Sequence, residues 1–166
     1  VQNPDLKIVI SVGRWTWSKH FSDAVPTDTA TRNFAYSAVD IVARYGIDGI
    51  DIDWEYPGMM GDSNVYRPED KEHYTNLFKD LRQMLDALGR VTGKTYLVTT
   101  AAGGSAEFKE HTQMNLVQLY TDYPIRRVPG SIAFYAFGFS TPLVHLDGDF
   151  NLISKHSKLK TRKIPT

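Results

Sequence analysis

Residues 48–57 read DGIDIDWEYP, and the parity of this stretch decides the fold. Ile50, Ile52 and Trp54 alternate with Asp51, Asp53 and Glu55, so a β-strand sends three acids to one face and three apolar groups to the other. A helix would mix the two sets. Same-face neighbours on a strand lie roughly 7 Å apart, which puts each carboxylate within electrostatic reach of the next. Like charges at that spacing do not all ionise at neutral pH without cost, so one carboxyl keeps its proton. A carboxyl that holds a proton is a general acid.

A solvated strand face or a structural ion-pair cluster fits the stretch less well. No Lys or Arg lies between Arg44 and Arg67, and a strand flanked by helical segments is expected to be covered on both faces. A hard-cation site is the sharper rival, since carboxylate oxygens also suit magnesium or calcium.

The rest of the sequence supplies the framework. Leu6 to Val12 (LKIVISV) is a nearly continuous apolar run, which predicts a strand buried on both faces. Gly13 to Thr27, with Trp15 and Trp17, reads as a loop. From Asp28 the positions Phe34, Ala38, Ile41, Val42 and Tyr45 keep helical spacing, with Thr27 or Thr29 as cap and Gly46 as terminator. After the carboxylate strand comes a glycine-containing loop from Pro57 to Asp62. Pro68, Glu69 and Asp70 then open a helix whose stripe of Tyr74, Leu77, Phe78, Leu81, Met84, Leu85 and Leu88 is expected to end at Gly89. Tyr96 to Ala102 reads as a third strand, and Met114, Val117 and Tyr120 predict a short helix. Strands alternating with helices in this way form right-handed crossover units around a parallel sheet. In such α/β sheets the chemistry lies at the carboxyl ends of the strands, where Glu55 falls.

Length and composition set the outer bounds. The chain has 166 residues, 42% of them hydrophobic, and no net charge, as expected of one globular domain without a nucleic-acid or anionic-membrane partner. Cysteine is absent, which excludes disulfides and thiolate metal sites. No apolar run is long enough for a membrane span, and the first residues lack a signal-peptide pattern. The five histidines form no HExxH, and there is neither a GxxxxGK[ST] nor a GxGxxG phosphate cradle. No cofactor, metal or obligate protein partner is called for.

The character of the sequence changes beyond Tyr123. Residues 1–123 hold 12 basic and 17 acidic side chains, and residues 124–166 hold 7 and 2. Pro124, Arg126, Arg127, Pro129 and Gly130 interrupt regular structure, SIAFYAFGFS is an uncharged aromatic run, and SKHSKLKTRK is basic. The aromatic run is a candidate strand, aggregation-prone if exposed.

With these residues in place, the chain resembles glycoside hydrolase family 18, the chitinase family. Its DxxDxDxE pattern is complete as Asp48, Asp51, Asp53 and Glu55, followed by Tyr56 and Pro57. A second family pattern, SxGG followed by Trp, is met by Ser11, Gly13 and Trp15, with Arg14 standing in place of the second glycine. YLVTTAAGGSAEF resembles the family's fifth strand and its loop. The resemblance implies a fragment of a (β/α)8 TIM barrel, about strands 3 to 5, over residues 1–123. It implies no match for residues 124–166, where the family's Met-x-Tyr-Asp segment is missing, and which are therefore expected to be a frameshifted or mis-spliced tail.

The resemblance further implies a substrate-assisted, retaining hydrolysis of β-1,4-linked N-acetylglucosamine polymers. Glu55 would protonate the glycosidic oxygen, Asp53 would orient the acetamido group that attacks the anomeric carbon, and Asp51 would share a proton with Asp53. Asp48, of opposite parity, takes a structural role with Ser11 and Gly13. Tyr56, Trp15 and Trp17 are candidates for stacking on sugar rings. Chitin or chitooligosaccharide is the implied substrate, and secretion of the parent protein the implied location. A chitinase-like lectin that binds without cleaving is the alternative, and a metal-dependent phosphoryl-transfer enzyme ranks third. Because a closed barrel takes about 250 residues, the isolated chain is expected to be weakly stable and inactive.

Overall fold

The computed structural model describes residues 7–103 and 105–122, and the backbone of three short strands further on. The chain separates into two compact units, Val1–Tyr123 and Pro124–Thr166.

In the first unit, β1 (Val9–Gly13), β2 (Gly49–Asp53) and β3 (Leu97–Thr100) form a parallel sheet in the order β1-β2-β3. The carboxylate strand is therefore the middle one. Ile50 and Ile52, and Trp54 just beyond the strand end, are fully buried, as alternation requires. Their face carries α2 (Asp28–Tyr45) and α3 (Asp70–Thr92), whose buried stripes include Ala35, Val39 and Val42 from α2 and Leu77, Phe78 and Leu81 from α3. At the start of α2 the Thr27 hydroxyl accepts the Ala30 N–H at 3.2 Å, and Gly46 ends the helix in the left-handed region at φ 66°.

Three expectations are corrected. β1 is not buried on both faces: Ile10 and Ser11 are exposed, because β1 lies at the margin of the described sheet. The stretch from Gly13 to Thr27 is more than a loop, since it holds a 3₁₀ turn at Trp15–Trp17 and the short helix α1 (Phe21–Ala24). Both are too short to form on their own; α1 is tied to α3 by the Ser22 hydroxyl, which donates to the fully buried Asp70 carboxylate at 2.6 Å. The second long helix does not stop at Gly89. It runs to Thr92 and ends at Gly93, φ 71°, while Gly89 is the place where the Lys94 carbonyl comes too close for any β-carbon.

After β3, two short helices follow, α4 (Ala106–Glu110), capped by the Ser105 hydroxyl, and α5 (Met114–Val117). Asp122 closes the unit. Its carboxylate accepts from Arg82 of α3 at 2.6 Å and from the Val98 N–H of β3 at 2.7 Å, so a helix and a strand are fastened through one oxygen. Among the described residues no helix is long and apolar enough to cross a membrane.

In the second unit β4 (Ser131–Ala133), β5 (Val144–Asp147) and β6 (Leu152–Lys155) form an antiparallel sheet in that order. β4 takes the first three residues of the aromatic run and β6 the first two of the basic tail; the remainder of both lies outside the described residues.

Candidate active site

The register of the three strands builds the site. Ser11, Asp51 and Thr99 stand side by side, and Gly13 is level with Asp53. All share the face opposite the helices. Asp51 accepts the Thr99 hydroxyl at 2.6 Å. Asp53, nearly buried, accepts the Ser11 hydroxyl at 3.0 Å and the Ala101 N–H at 3.1 Å. These two carboxylates are thus held by hydroxyls and a backbone N–H rather than by arginines, which leaves their charges in conflict.

The consequence is largest at Asp51. Burial, then the neighbouring Asp53 charge, pushes it up from 3.8 to about 6 against the opposing Thr99 hydrogen bond. Glu55, just past the strand end, is also raised, first by burial and second by Asp53, while the Tyr56 hydroxyl and the Arg14 charge pull it down. At both carboxyls burial is the leading cause and the Asp53 charge comes after it, whereas spacing alone points to mutual repulsion.

The folded chain holds the Asp51 proton more tightly than the unfolded one, so stability is greatest below 3.8 and falls as pH rises through about 6. Asp51→Asn keeps an acceptor for Thr99 and removes the penalty. It is expected to exceed the parent chain in stability by roughly 1–2 kcal/mol near pH 7.5, after discounting for partial exposure, and to match it near pH 4. Urea titrations at the two pH values check this; an equal difference at both would refute it.

Asp48 lies apart from the row. Its carboxylate accepts the Ile8 N–H at 2.9 Å and sits 3.8 Å from Lys7, and its own carbonyl accepts the Leu97 N–H at 2.8 Å. It laces the start of β2 to both neighbours. Gly13 fits only because it has no side chain, as a β-carbon there would lie 2.3 Å from the Asp53 carbonyl oxygen. The Tyr56 ring meets the edges of Trp15 and Phe108 at 6.3 and 5.8 Å, and its hydroxyl is engaged with Glu55. Trp15 is half exposed and Trp17 is 81% exposed, so of the three aromatics Trp17 offers most of its surface to solvent. The Glu55–Tyr56 peptide bond is cis.

Arg14 adopts φ 80°, ψ 174°, a region that suits glycine and costs other residues about 1–3 kcal/mol. The conformation is enforced by its N–H, which donates to the Asp53 carbonyl at 2.8 Å. Arg14→Gly is expected to stabilise the unit by roughly 1 kcal/mol once glycine's extra freedom in the unfolded chain is set against the relieved strain. It should also raise Glu55 further by removing the cation that lowers it. Urea unfolding and a carboxyl-carbon titration of Glu55 measure the two effects; a fall in the Glu55 midpoint would contradict the second.

Sequence reasoning passed over three residues here. Ser18 and Asn64 are buried polar side chains that brace the chain on either side of Glu55. Asp70, by sequence a first-turn acid, also accepts the Gly58 and Arg67 N–H groups at 3.2 and 2.8 Å. Among the described residues no group of three His, Cys, Asp or Glu side chains is placed to hold a metal ion.

A parallel strand-helix succession with a carboxylate row at the C-terminal end of its middle strand is the arrangement of a piece of a (β/α)8 barrel. The sequence model for Glycosyl hydrolases family 18 matches residues 1–125, and the chain belongs to that family. It is 48% identical over 122 residues to chitinase A1 of Niallia circulans, covering 73% of this chain and 18% of that protein. To chitotriosidase-1 of Mus musculus it is 38% identical over 102 residues, 61% of this chain and 21% of that one. Among solved structures it superposes on chitinase ChiA74 from Bacillus thuringiensis with a TM-score of 0.68 at 43% identity, over 72% of this chain and 19% of the other. A family 18 N-acetylglucosaminidase from Paenibacillus barengoltzii gives 0.69 at 40% identity, over 72% and 35%. The chain thus spans about a fifth of the length of these curated relatives.

Proposed function

We propose that these residues are the acid-base segment of a chitinase-type glycosidase acting on β-1,4-linked N-acetylglucosamine chains in a secreted parent protein. The observation that carries the reading is the placement of Asp51, Asp53 and Glu55 along the acid face at the strand end, with the Asp51 and Glu55 carboxyls raised.

Glu55 would deliver its proton to the glycosidic oxygen as the glycosidic C–O bond breaks and the leaving sugar departs as an alcohol, while the substrate's acetamido oxygen bonds to the anomeric carbon. Asp53 lies between its two partners, held from both sides by Ser11 and Ala101, so its charge is positioned to steady the acetamido N–H as positive charge develops. Asp51, pushed up to about 6, would share a second proton with Asp53 and keep it when Asp53 turns to substrate. Glu55 would then act as base toward water, giving net retention. Trp15, Trp17 and Tyr56 would face the sugar.

The test is a chimera in which residues 7–122 replace the corresponding segment of chitinase A1 of Niallia circulans. Hydrolysis of a chitotriose reporter with retained configuration, indifferent to chelator, is expected; saccharide binding without turnover would instead indicate a lectin. The 166-residue chain by itself is expected to show no turnover, because the three parallel strands among the described residues do not close a barrel around the acid row. We further infer that residues 124–166 are a frameshifted or mis-spliced tail. An uninterrupted reading frame through residue 166 at the genomic locus would refute that.

A further inference from the structure

We propose that Ser18 is a positioning residue for the acid, its hydroxyl holding the backbone from Asp53 to Glu55 in the pose that aims the Glu55 carboxyl. The inference rests on the reading of Glu55 as the acid and deepens it.

Glu55 lies beyond the end of β2, so the sheet's hydrogen bonds do not fix it. Its N–H donates instead to the Ser18 hydroxyl oxygen at 2.9 Å. The same hydroxyl lies 2.8 Å from the Asp53 carbonyl and 2.8 Å from the Arg14 carbonyl, and donates between them. Ser18 is fully buried, so water cannot replace it, and each bond it makes is felt at full strength. One side chain thereby joins the residue before Trp54, the residue after it, and the strained Arg14 turn.

Its own place is also fixed by bonds outside the acid row. The 3₁₀ turn at Trp15–Trp17 delivers it, the Phe21 N–H bonds to its carbonyl at 3.3 Å, and the next residue, Lys19, accepts the Val65 N–H at 3.0 Å. The segment 14–19 therefore lies along the segment 53–65 as a brace, touching it at Asp53, Glu55 and Val65. On the far side the Asn64 amide donates to the Tyr56 and Met59 carbonyls and accepts the Gly61 N–H. Glu55 is thus clamped before and after, and only the Ser18 clamp bonds to Glu55 itself.

Two variants of the 166-residue chain test this, Ser18→Ala and Ser18→Thr, by amide exchange and by carboxyl-carbon titration. Ser18→Ala is expected to speed exchange at the Glu55 N–H about tenfold more than at Ile50 and Ile52 and to shift the Glu55 midpoint while leaving Asp51 in place. Ser18→Thr, which keeps the hydroxyl, is expected to restore both. Exchange rising equally along β2, or a Glu55 titration unchanged in Ser18→Ala, would overturn the proposal. In the chimera with chitinase A1, Ser18→Ala is expected to lower kcat about tenfold at constant KM, with rescue by Ser18→Thr; an unaltered kcat would overturn it there as well. If the exchange arm responds as expected and the unsubstituted chimera is inert, Ser18 keeps its role and it is the reading of Glu55 that fails.

Discussion

Glu55→Gln, introduced into the chitinase A1 chimera carrying residues 7–122, is expected to cut turnover of a chitotriose reporter by about 10²–10⁴ with little change in KM. Glutamine matches the carboxylate in shape and hydrogen-bonding reach but cannot give up a proton at neutral pH, so a loss of that size isolates proton donation from binding. The environment supports the magnitude. Burial and then the Asp53 charge raise the Glu55 carboxyl, against the Tyr56 hydroxyl and the Arg14 cation, which lower it, and an upward shift is the direction that favours a proton donor. The alkaline limb of the pH profile should vanish with the substitution. Retained turnover would remove Glu55 from the reaction whatever else the barrel does.

Trp54→Ala is expected to have the largest effect on stability, about 3–5 kcal/mol. The indole is fully buried, stacked on Phe21 at 5.2 Å and 12°, and met edge-on by Tyr74 at 5.9 Å. Such a loss rivals the whole stability of a small domain, so the variant should be largely unfolded. Trp54→Phe should lose roughly 1–2 kcal/mol, because it keeps an aromatic face for Phe21 and removes the buried indole N–H, which has no hydrogen-bond partner. The other two tryptophans, Trp15 and Trp17, are exposed, so the blue-shifted fluorescence of the folded chain should come from Trp54 and report its loss directly. Urea titration followed by circular dichroism gives the free energies; a cost for Trp54→Ala no greater than for Trp54→Phe would show that the packing matters less than stated.

The features that were legible in the sequence are those written in a local period. The two-residue alternation from Ile50 to Glu55 gave the strand, its two faces and the acid row. The helical stripe from Tyr74 to Leu88 gave α3, and Thr27 and Gly46 gave the bounds of α2. The family patterns added the barrel and the motif serine. What escaped depends on partners distant in the chain. Ser18 bonds across 37 residues to Glu55, Ser22 across 48 to Asp70, and Arg82 across 40 to Asp122, and no periodicity marks such pairs. Gly89 misled for a related reason: glycine is a common terminator, but here it answers the approach of Lys94 from outside the helix. The order of causes at Glu55 was also beyond a reading of spacing, since burial is a property of the assembled sheet and not of the motif.

The missing side chain at Gly13, and its counterpart at Gly61, whose β-carbon would lie 2.3 Å from the Glu55 carbonyl oxygen, bear on how this site can drift over generations. Neither glycine can accept a β-carbon without displacing the backbone of the acid strand or of Glu55, whereas Arg14, which departs from the family pattern and whose charge lowers the Glu55 carboxyl, is a position where a substitution changes that acidity without filling either contact. Libraries aimed at altered acidity would therefore do better to randomise Arg14 than the motif and its glycines.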